Sequence, residues 1–218
     1  MSVKFGAMII AGSLLTAGSS FAASTLNSVV PGENSSEVCA TAASTAESQG
    51  SATDSQLAAC TLAIKITSGG VPEAEILAHI RSTSMVVLPN DTWDRVAAAY
   101  INRSALHFAR SEFDKAIADS SVALELDRQL PEAMINRGAA LLQTHRPADA
   151  AADFTNALQL APAHIERIYF DRAMAREDMG DIKGAYADYR HASQLNPQWD
   201  QPKRELARFK VVPAKPVS

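Results

Sequence analysis

The feature that most constrains the fold is an internal repeat in the second half of the chain. A five-residue motif occurs as Tyr-Ile-Asn-Arg-Ser at 100–104, as Met-Ile-Asn-Arg-Gly at 134–138 and as Tyr-Phe-Asp-Arg-Ala at 169–173. A second motif follows each copy at a constant distance and begins with Ala116, Ala150 and Ala185. Because two separate motifs share spacings of 34 and 35 residues, the sequence predicts a solenoid of helix pairs.

Small residues and prolines support the same interpretation. Alanine at the start of each second motif lets two helices approach closely, and Pro162 and Pro197 are placed to end the second helices of two repeats. We therefore predict an all-α fold, a right-handed superhelix of about three helix-turn-helix repeats over residues 90–198. An N-terminal helical hairpin precedes the repeats, and a capping helix with a frayed tail follows over 199–218.

The second motif also carries a resemblance to a known family. An aromatic residue lies four positions after one alanine and three positions before another, as in Ala150, Phe154 and Ala157. The next copy repeats this spacing. The region resembles the tetratricopeptide repeat, although the tryptophan of that family is missing and arginine replaces one of its leucines. The layout also resembles small exported bacterial repeat proteins with a cysteine-bearing N-terminal segment. The resemblance implies a concave face, lined by the first helices, that binds other proteins.

This resemblance predicts the residues of a binding groove. Positions beside each arginine of the first motif, and those about one turn further on, are expected to face the groove: Ile101, Asn102, Ala105, Ile135, Asn136, Ala139, Phe170, Asp171 and Met174. An apolar line next to an amide-rich line suits a peptide or a helix of a partner. The alternative is that the apolar members pack between helices or lie under the N-terminal hairpin.

Each repeat also contains an arginine and an aspartate that are sixteen residues apart. The pairs are Arg103 with Asp119, Arg137 with Asp153, and Arg172 with Asp188. In a helical hairpin this offset brings the arginine of the first helix close to the aspartate of the second. We interpret the pairs as structural ion pairs that fix the register of the two helices. A row of ligand-binding arginines is the alternative.

The first residues have the pattern of a secretory signal. Lys4 precedes an apolar run over 5–17, and small residues follow up to a predicted cleavage site near Ala23. The run is shorter than the roughly 20 residues that span a membrane. We therefore predict a signal peptide over 1–23, a flexible leader over 24–35, export to the periplasm or the exterior, and no membrane insertion after cleavage.

Two cysteines, Cys39 and Cys60, lie in the N-terminal helical segment predicted over 36–89. In an exported chain a matched pair indicates a disulfide, here between the arms of a short hairpin. Closing a loop of this size stabilises a protein by about 3 kcal/mol on the chain-entropy model. Free thiols, and a redox or metal site, are the alternatives, but Cys-x-x-Cys and paired histidines are absent.

The charge of the chain restricts its partners. It has 20 basic and 24 acidic residues; removal of the predicted signal, whose charged residue is Lys4, changes the net charge from −4 to −5. A mildly acidic chain is a poor candidate for binding nucleic acid or anionic membranes. We therefore predict another protein or a peptide segment as the partner.

Catalytic motifs are missing from the sequence. The five histidines share no metal-ligand spacing, and neither a nucleophile elbow nor a phosphate-binding loop occurs. We predict that the protein is not an enzyme and needs no cofactor or metal. The leading function is therefore an exported interaction module that binds a partner segment in its groove. A self-associating component of the cell envelope, and an enzyme with a site in 36–89, are the alternatives.

Overall fold

The computed structural model describes residues 35–81, 90–160 and 162–209, which form ten helices and no strand. The helices are α1 (Ser35–Gln49), α2 (Asp54–Thr67), α3 (Glu73–Arg81), α4 (Asn90–Ala109), α5 (Phe113–Leu126), α6 (Pro131–Gln143), α7 (Pro147–Gln159), α8 (Ile165–Asp178), α9 (Ile182–Leu195) and α10 (Asp200–Leu206). The predicted signal peptide, almost all of the leader, residues 82–89 and the tail after 209 lie outside the described residues.

The helices of the second half are arranged in successive pairs. Helices α4 and α5, α6 and α7, and α8 and α9 pack against each other, and each pair packs against the next. Helix α10 packs on α9 and covers the end of the array, where Trp199 lies 4.9 Å from the ring of Phe170. The predicted all-α class of stacked helix pairs is confirmed.

Turns at equivalent positions separate the two helices of each pair. Ser111, His145 and Gly180 all have a left-handed backbone, with φ of 61°, 58° and 79°. Glycine adopts this conformation without strain, whereas for serine and histidine the side chain makes the same conformation less favourable. Proline at the first position of α6 and of α7 suits a helix start, because that N–H has no partner within the helix. These local features set where each helix begins.

Small residues let the paired helices approach each other. Gly138 lies so close to Phe154 that a Cβ at this position would be 2.9 Å from the ring. In the preceding pair, the hydroxyls of Ser104 and Ser120 are 2.6 Å apart at the equivalent positions. The contact between the two helices thus occurs at one register in both repeats, with different chemistry.

The N-terminal hairpin continues the stack. Helices α1 and α2 pack against each other and both pack on α4. Cys39 and Cys60 form a disulfide between them, with the Cα atoms 4.5 Å apart. Helix α2 begins with a capping box. The Thr53 side chain accepts a hydrogen bond from the backbone N–H of Gln56, and the Gln56 side chain accepts one from the backbone N–H of Thr53. The hairpin is therefore anchored both at its turn and across its middle.

Candidate functional site

The three arginines of the first motif are bound in the same way in all three repeats. Each donates two hydrogen bonds, from Nε and Nη2, to both oxygens of the aspartate sixteen residues further on, at 2.7 to 2.9 Å. All three aspartates are buried. Planar, two-bond pairing of this kind fixes the orientation as well as the distance of its partners, and so sets the register of each helix pair.

Each arginine also donates to a hydroxyl on the second helix of the preceding pair. Arg103 Nη1 lies 3.4 Å from Thr61 Oγ1, Arg137 Nη1 lies 3.4 Å from Ser121 Oγ, and Arg172 Nη1 lies 3.2 Å from Thr155 Oγ1. Ser121 and Thr155 share the 34-residue period, so the sequence contained a signal for this contact. Thr61 lies outside the periodic region. The hydroxyl contacts join neighbouring pairs and include the N-terminal hairpin.

The surroundings of these arginines differ between repeats. The side chain of Arg103 is 9% exposed, and Glu73 of α3 also binds it through oxygens 2.5 and 3.3 Å from Nη2 and Nη1. Burial raises the pKa of Glu73, but the hydrogen bonds and charge of Arg103 outweigh it and leave that pKa below its usual value. Arg137 has no such second carboxylate among the described residues and is 29% exposed.

Most of the residues predicted to line the groove are packed within the chain. Eight of the nine, all except Met174, are between 0% and 4% exposed. Phe170, for example, packs against Tyr189 of α9 and Trp199. Met174 is half-buried. The packing agrees with the alternative that these positions lie between helices, and their contact with a partner stays a prediction.

The amide line contains unpartnered hydrogen-bond acceptors. Asn102 Oδ1, Asn136 Oδ1 and Asp171 Oδ2 are buried and accept no hydrogen bond from the described residues. They occupy the same register on α4, α6 and α8, two residues before the close contact with the second helix. At 100° per residue this places them on the far side of each first helix from its paired second helix. Three acceptors in one register thus follow the first helices, and Asn136 Nδ2 donates to the carbonyl of Ile101 on the neighbouring first helix at 3.3 Å.

Asp171 is the charged member of this row. Burial raises its pKa to about 6, although the nearby Arg167 opposes the shift. Arg167 Nε lies 3.5 Å from Asp171 Oδ1, close enough for an ion pair but without hydrogen-bond geometry, and Nε itself has no hydrogen-bond partner. An incompletely paired carboxylate in a dry site is an uncommon arrangement for a residue with a purely structural role.

The rest of the described chain offers little catalytic or metal chemistry. Both cysteines are joined in the disulfide. Within residues 35–81, 90–160 and 162–209, no group of three or more histidine, cysteine, aspartate or glutamate side chains is placed to hold a metal ion. Within the same ranges no helix combines the length and hydropathy needed to cross a membrane.

The fold and its repeated pairs define a helical-repeat protein. Residues 131–164 and 166–198 match family models described as tetratricopeptide repeat, so the chain contains tetratricopeptide repeats in these two segments. The resemblance inferred from the sequence is confirmed to that extent. No curated protein matches the chain significantly.

Three solved tetratricopeptide domains are similar to about half of the chain. The first domain of Spaghetti (RPAP3), bound to the HSP90 peptide SRMEEVD, is 23% identical with a TM-score of 0.49, and the match covers 51% of this chain and 88% of that one. The Arabidopsis OM64 domain is 27% identical, with a TM-score of 0.49 and coverages of 51% and 92%. The first domain of human RPAP3 is 23% identical, with a TM-score of 0.48 and coverages of 51% and 87%.

Proposed function

We propose that the protein is an exported interaction module that binds an extended segment of another protein along its first helices. Stacked helix pairs of this kind create continuous concave surfaces that bind other proteins. The observation that carries the proposal is the row of unpartnered acceptors formed by Asn102, Asn136 and Asp171. We call these three residues the acceptor row.

The acceptor row is unfavourable in the free chain. A buried acceptor without a donor costs about 1–3 kcal/mol, and an apolar residue of similar size avoids that cost. Backbone N–H groups of a bound segment would supply the missing donors. Neighbouring packed helices lie roughly 9 Å apart, and a polyproline II segment rises about 3.1 Å per residue with about three residues per turn, so the N–H of every third residue points to the same side and meets the next acceptor.

The surroundings of the row suit such a segment. Ala98, Glu132 and Gln143 lie on the same side of their helices as the row and are partly exposed. The acceptor row therefore forms the floor of a shallow groove, with these residues along its rim. Its oxygens are out of reach of water in the free chain, so binding requires a side-chain rotation or a small separation of the first helices.

Export is part of this proposal. It is supported by Lys4, the apolar run over 5–17 and the small residues that end at Ala23. Mass spectrometry of the protein purified from its native cell would measure the mature N-terminus. We expect a start at or near residue 24; a chain that retains Met1 to Ala23 contradicts export by cleavage.

Capture from envelope extract tests the groove. The wild-type protein is one bait and Asn102→Leu/Asn136→Leu is the second, because leucine removes the acceptors while it preserves size and burial. Gln159→Leu/Gln194→Leu, which alters two exposed amides on second helices, is the matched control. We expect a protein that is captured by the wild type and the control but not by the groove variant. Equal capture by all three baits contradicts the groove.

A further inference from the structure

A second surface lies beside the second helices. Between α5, α6 and α7 there is a cleft of about 650 Å³, whose lining includes Ser121, Leu124, Met134, Arg137, Asp153 and Asn156. We call it the α5–α7 cleft. Of the three arginines that are paired with an aspartate, it contains the most exposed one. The cleft lies away from the acceptor row.

The same position in the preceding unit is occupied by this chain's own helix α3. There Arg103, Asp119 and Thr61 correspond to Arg137, Asp153 and Ser121 of the α5–α7 cleft, because they make the same hydrogen bonds. Helix α3 packs against α5 and places the Glu73 carboxylate on both terminal nitrogens of Arg103. One turn further along, Ile76 is 1% exposed and belongs to the same core cluster as Tyr100.

The equivalent position in the following unit is closed by two rings. Tyr169 and His191 lie 5.2 Å apart, and the guanidinium of Arg172 lies 5.3 Å from the centre of the Tyr169 ring. Tyr100 stands in the same relation to Arg103, at 5.2 Å. The corresponding residue of the middle unit is Met134, which has no ring to cover its arginine. Among the described residues, the α5–α7 cleft therefore contains neither a helix like α3 nor a ring pair like Tyr169 and His191.

We propose that the α5–α7 cleft binds a helical segment of another protein that resembles α3. Such a segment carries a carboxylate that reaches Arg137 and, one turn later, a branched apolar side chain that packs on Met134 and Leu124. The evidence for this chemistry is the Glu73 and Ile76 pattern, which the chain itself uses against the neighbouring copy of the same site. Charge-assisted pairing to a half-buried arginine then selects acidic helices over neutral ones.

A peptide with the sequence of residues 71–81 is a direct probe of the cleft. A staple between positions 74 and 78, both exposed in α3, holds it helical, and a fluorescein label reports binding by anisotropy. Asn156→Glu places a carboxylate at an exposed position of the cleft that contains Arg137, where it competes with the carboxylate of the peptide. Gln159→Glu makes the same change in charge at an exposed position of α7 outside the cleft and serves as the control.

We expect the purified protein and the Gln159→Glu variant to bind the peptide saturably. Asn156→Glu, with its helix content unchanged by circular dichroism, should bind at least about tenfold more weakly. A peptide with glutamine in place of Glu73 should also bind the wild-type protein at least about tenfold more weakly. The absence of saturable binding, or equal affinity for the wild type and Asn156→Glu, overturns the proposal. Neither result depends on the acceptor row.

Discussion

At the scale of single residues, Asp171 links the stability of the fold to pH. Its carboxyl is buried on α8 and its pKa is raised to about 6 from an ordinary value of 3.8, because burial disfavours the charged form. The folded state therefore binds this proton more tightly than the unfolded state. Its contribution to stability is complete below about pH 4 and is lost as the pH rises through 6.

Replacing Asp171 by asparagine removes this dependence. Between pH 4 and pH 7 the free energy of unfolding of Asp171→Asn should rise by roughly 3 kcal/mol relative to the wild type, the equivalent of about two pKa units. Urea unfolding at a series of pH values measures the difference. Asp178→Asn alters an exposed acid of the same helix and should show much less change. A gap between Asp171→Asn and wild type that is the same at both pH values contradicts the assignment.

The left-handed turn residues give a second prediction at this scale. His145 has a φ of 58° and is exposed, whereas the equivalent turn residue of the last repeat is Gly180. His145→Gly should therefore stabilise the protein by about 0.5–1 kcal/mol, because glycine adopts this conformation without strain. Gly180→Ser is the reciprocal change and should destabilise by about 1 kcal/mol. Thermal unfolding of both variants checks the pair; a lower midpoint for His145→Gly contradicts it.

At the scale of helices, each unit uses different chemistry at its closest contact. The hairpin has the Cys39–Cys60 disulfide, and the next pair has hydrogen-bonded hydroxyls at Ser104 and Ser120. The middle repeat packs Gly138 on the Phe154 ring. The disulfide thus lies in the N-terminal hairpin, whose described residues include no arginine–aspartate pair between its two helices. The disulfide holds the unit with the fewest other links between its helices.

Removal of the disulfide tests this role. Cys39→Ser/Cys60→Ser should lower the free energy of unfolding by about 3 kcal/mol, since the bond closes a loop of 21 residues. Hydrogen exchange should accelerate in α1 and α2 and stay unchanged in α6 to α9. Adding a reductant to the double variant is the control and should have no effect. Faster exchange throughout the array contradicts a local role.

Contacts between residues that repeat with the period of the array could be predicted from the sequence, whereas contacts outside the repeats could not. The arginine and aspartate residues repeat in register, so their proximity followed from the spacing of Arg137 and Asp153 alone. Glu73 lies outside the repeats, and its contact with Arg103 arises from tertiary packing that no spacing encodes. The burial of the predicted groove positions also depends on how neighbouring pairs stack. Ile135 and Phe170 are therefore more deeply buried than the sequence suggested, and their contact with a partner stays a prediction.

At the scale of the whole molecule, the array has two distinct sides. The acceptor row follows the first helices, and the α5–α7 cleft lies between second helices. The disulfide hairpin and α10 cover the two ends of the described array. If the covered ends prevent copies from stacking, the protein stays monomeric. Sedimentation should accordingly give one molecular mass at all protein concentrations, and a mass that rises with concentration favours self-association.

Calorimetric titration of the captured partner segment measures directly whether it binds along the first helices. The wild-type protein is compared with Asn102→Leu/Asn136→Leu, and the free energy of unfolding is measured for both. We predict an affinity at least about thirtyfold lower for the variant, because two donors of the partner are left buried and unpaired. We also predict that the variant is at least as stable as the wild type, because removal of two buried unpaired acceptors offsets the lost bond from Asn136 to Ile101. An unchanged affinity in a stably folded variant contradicts binding along the first helices.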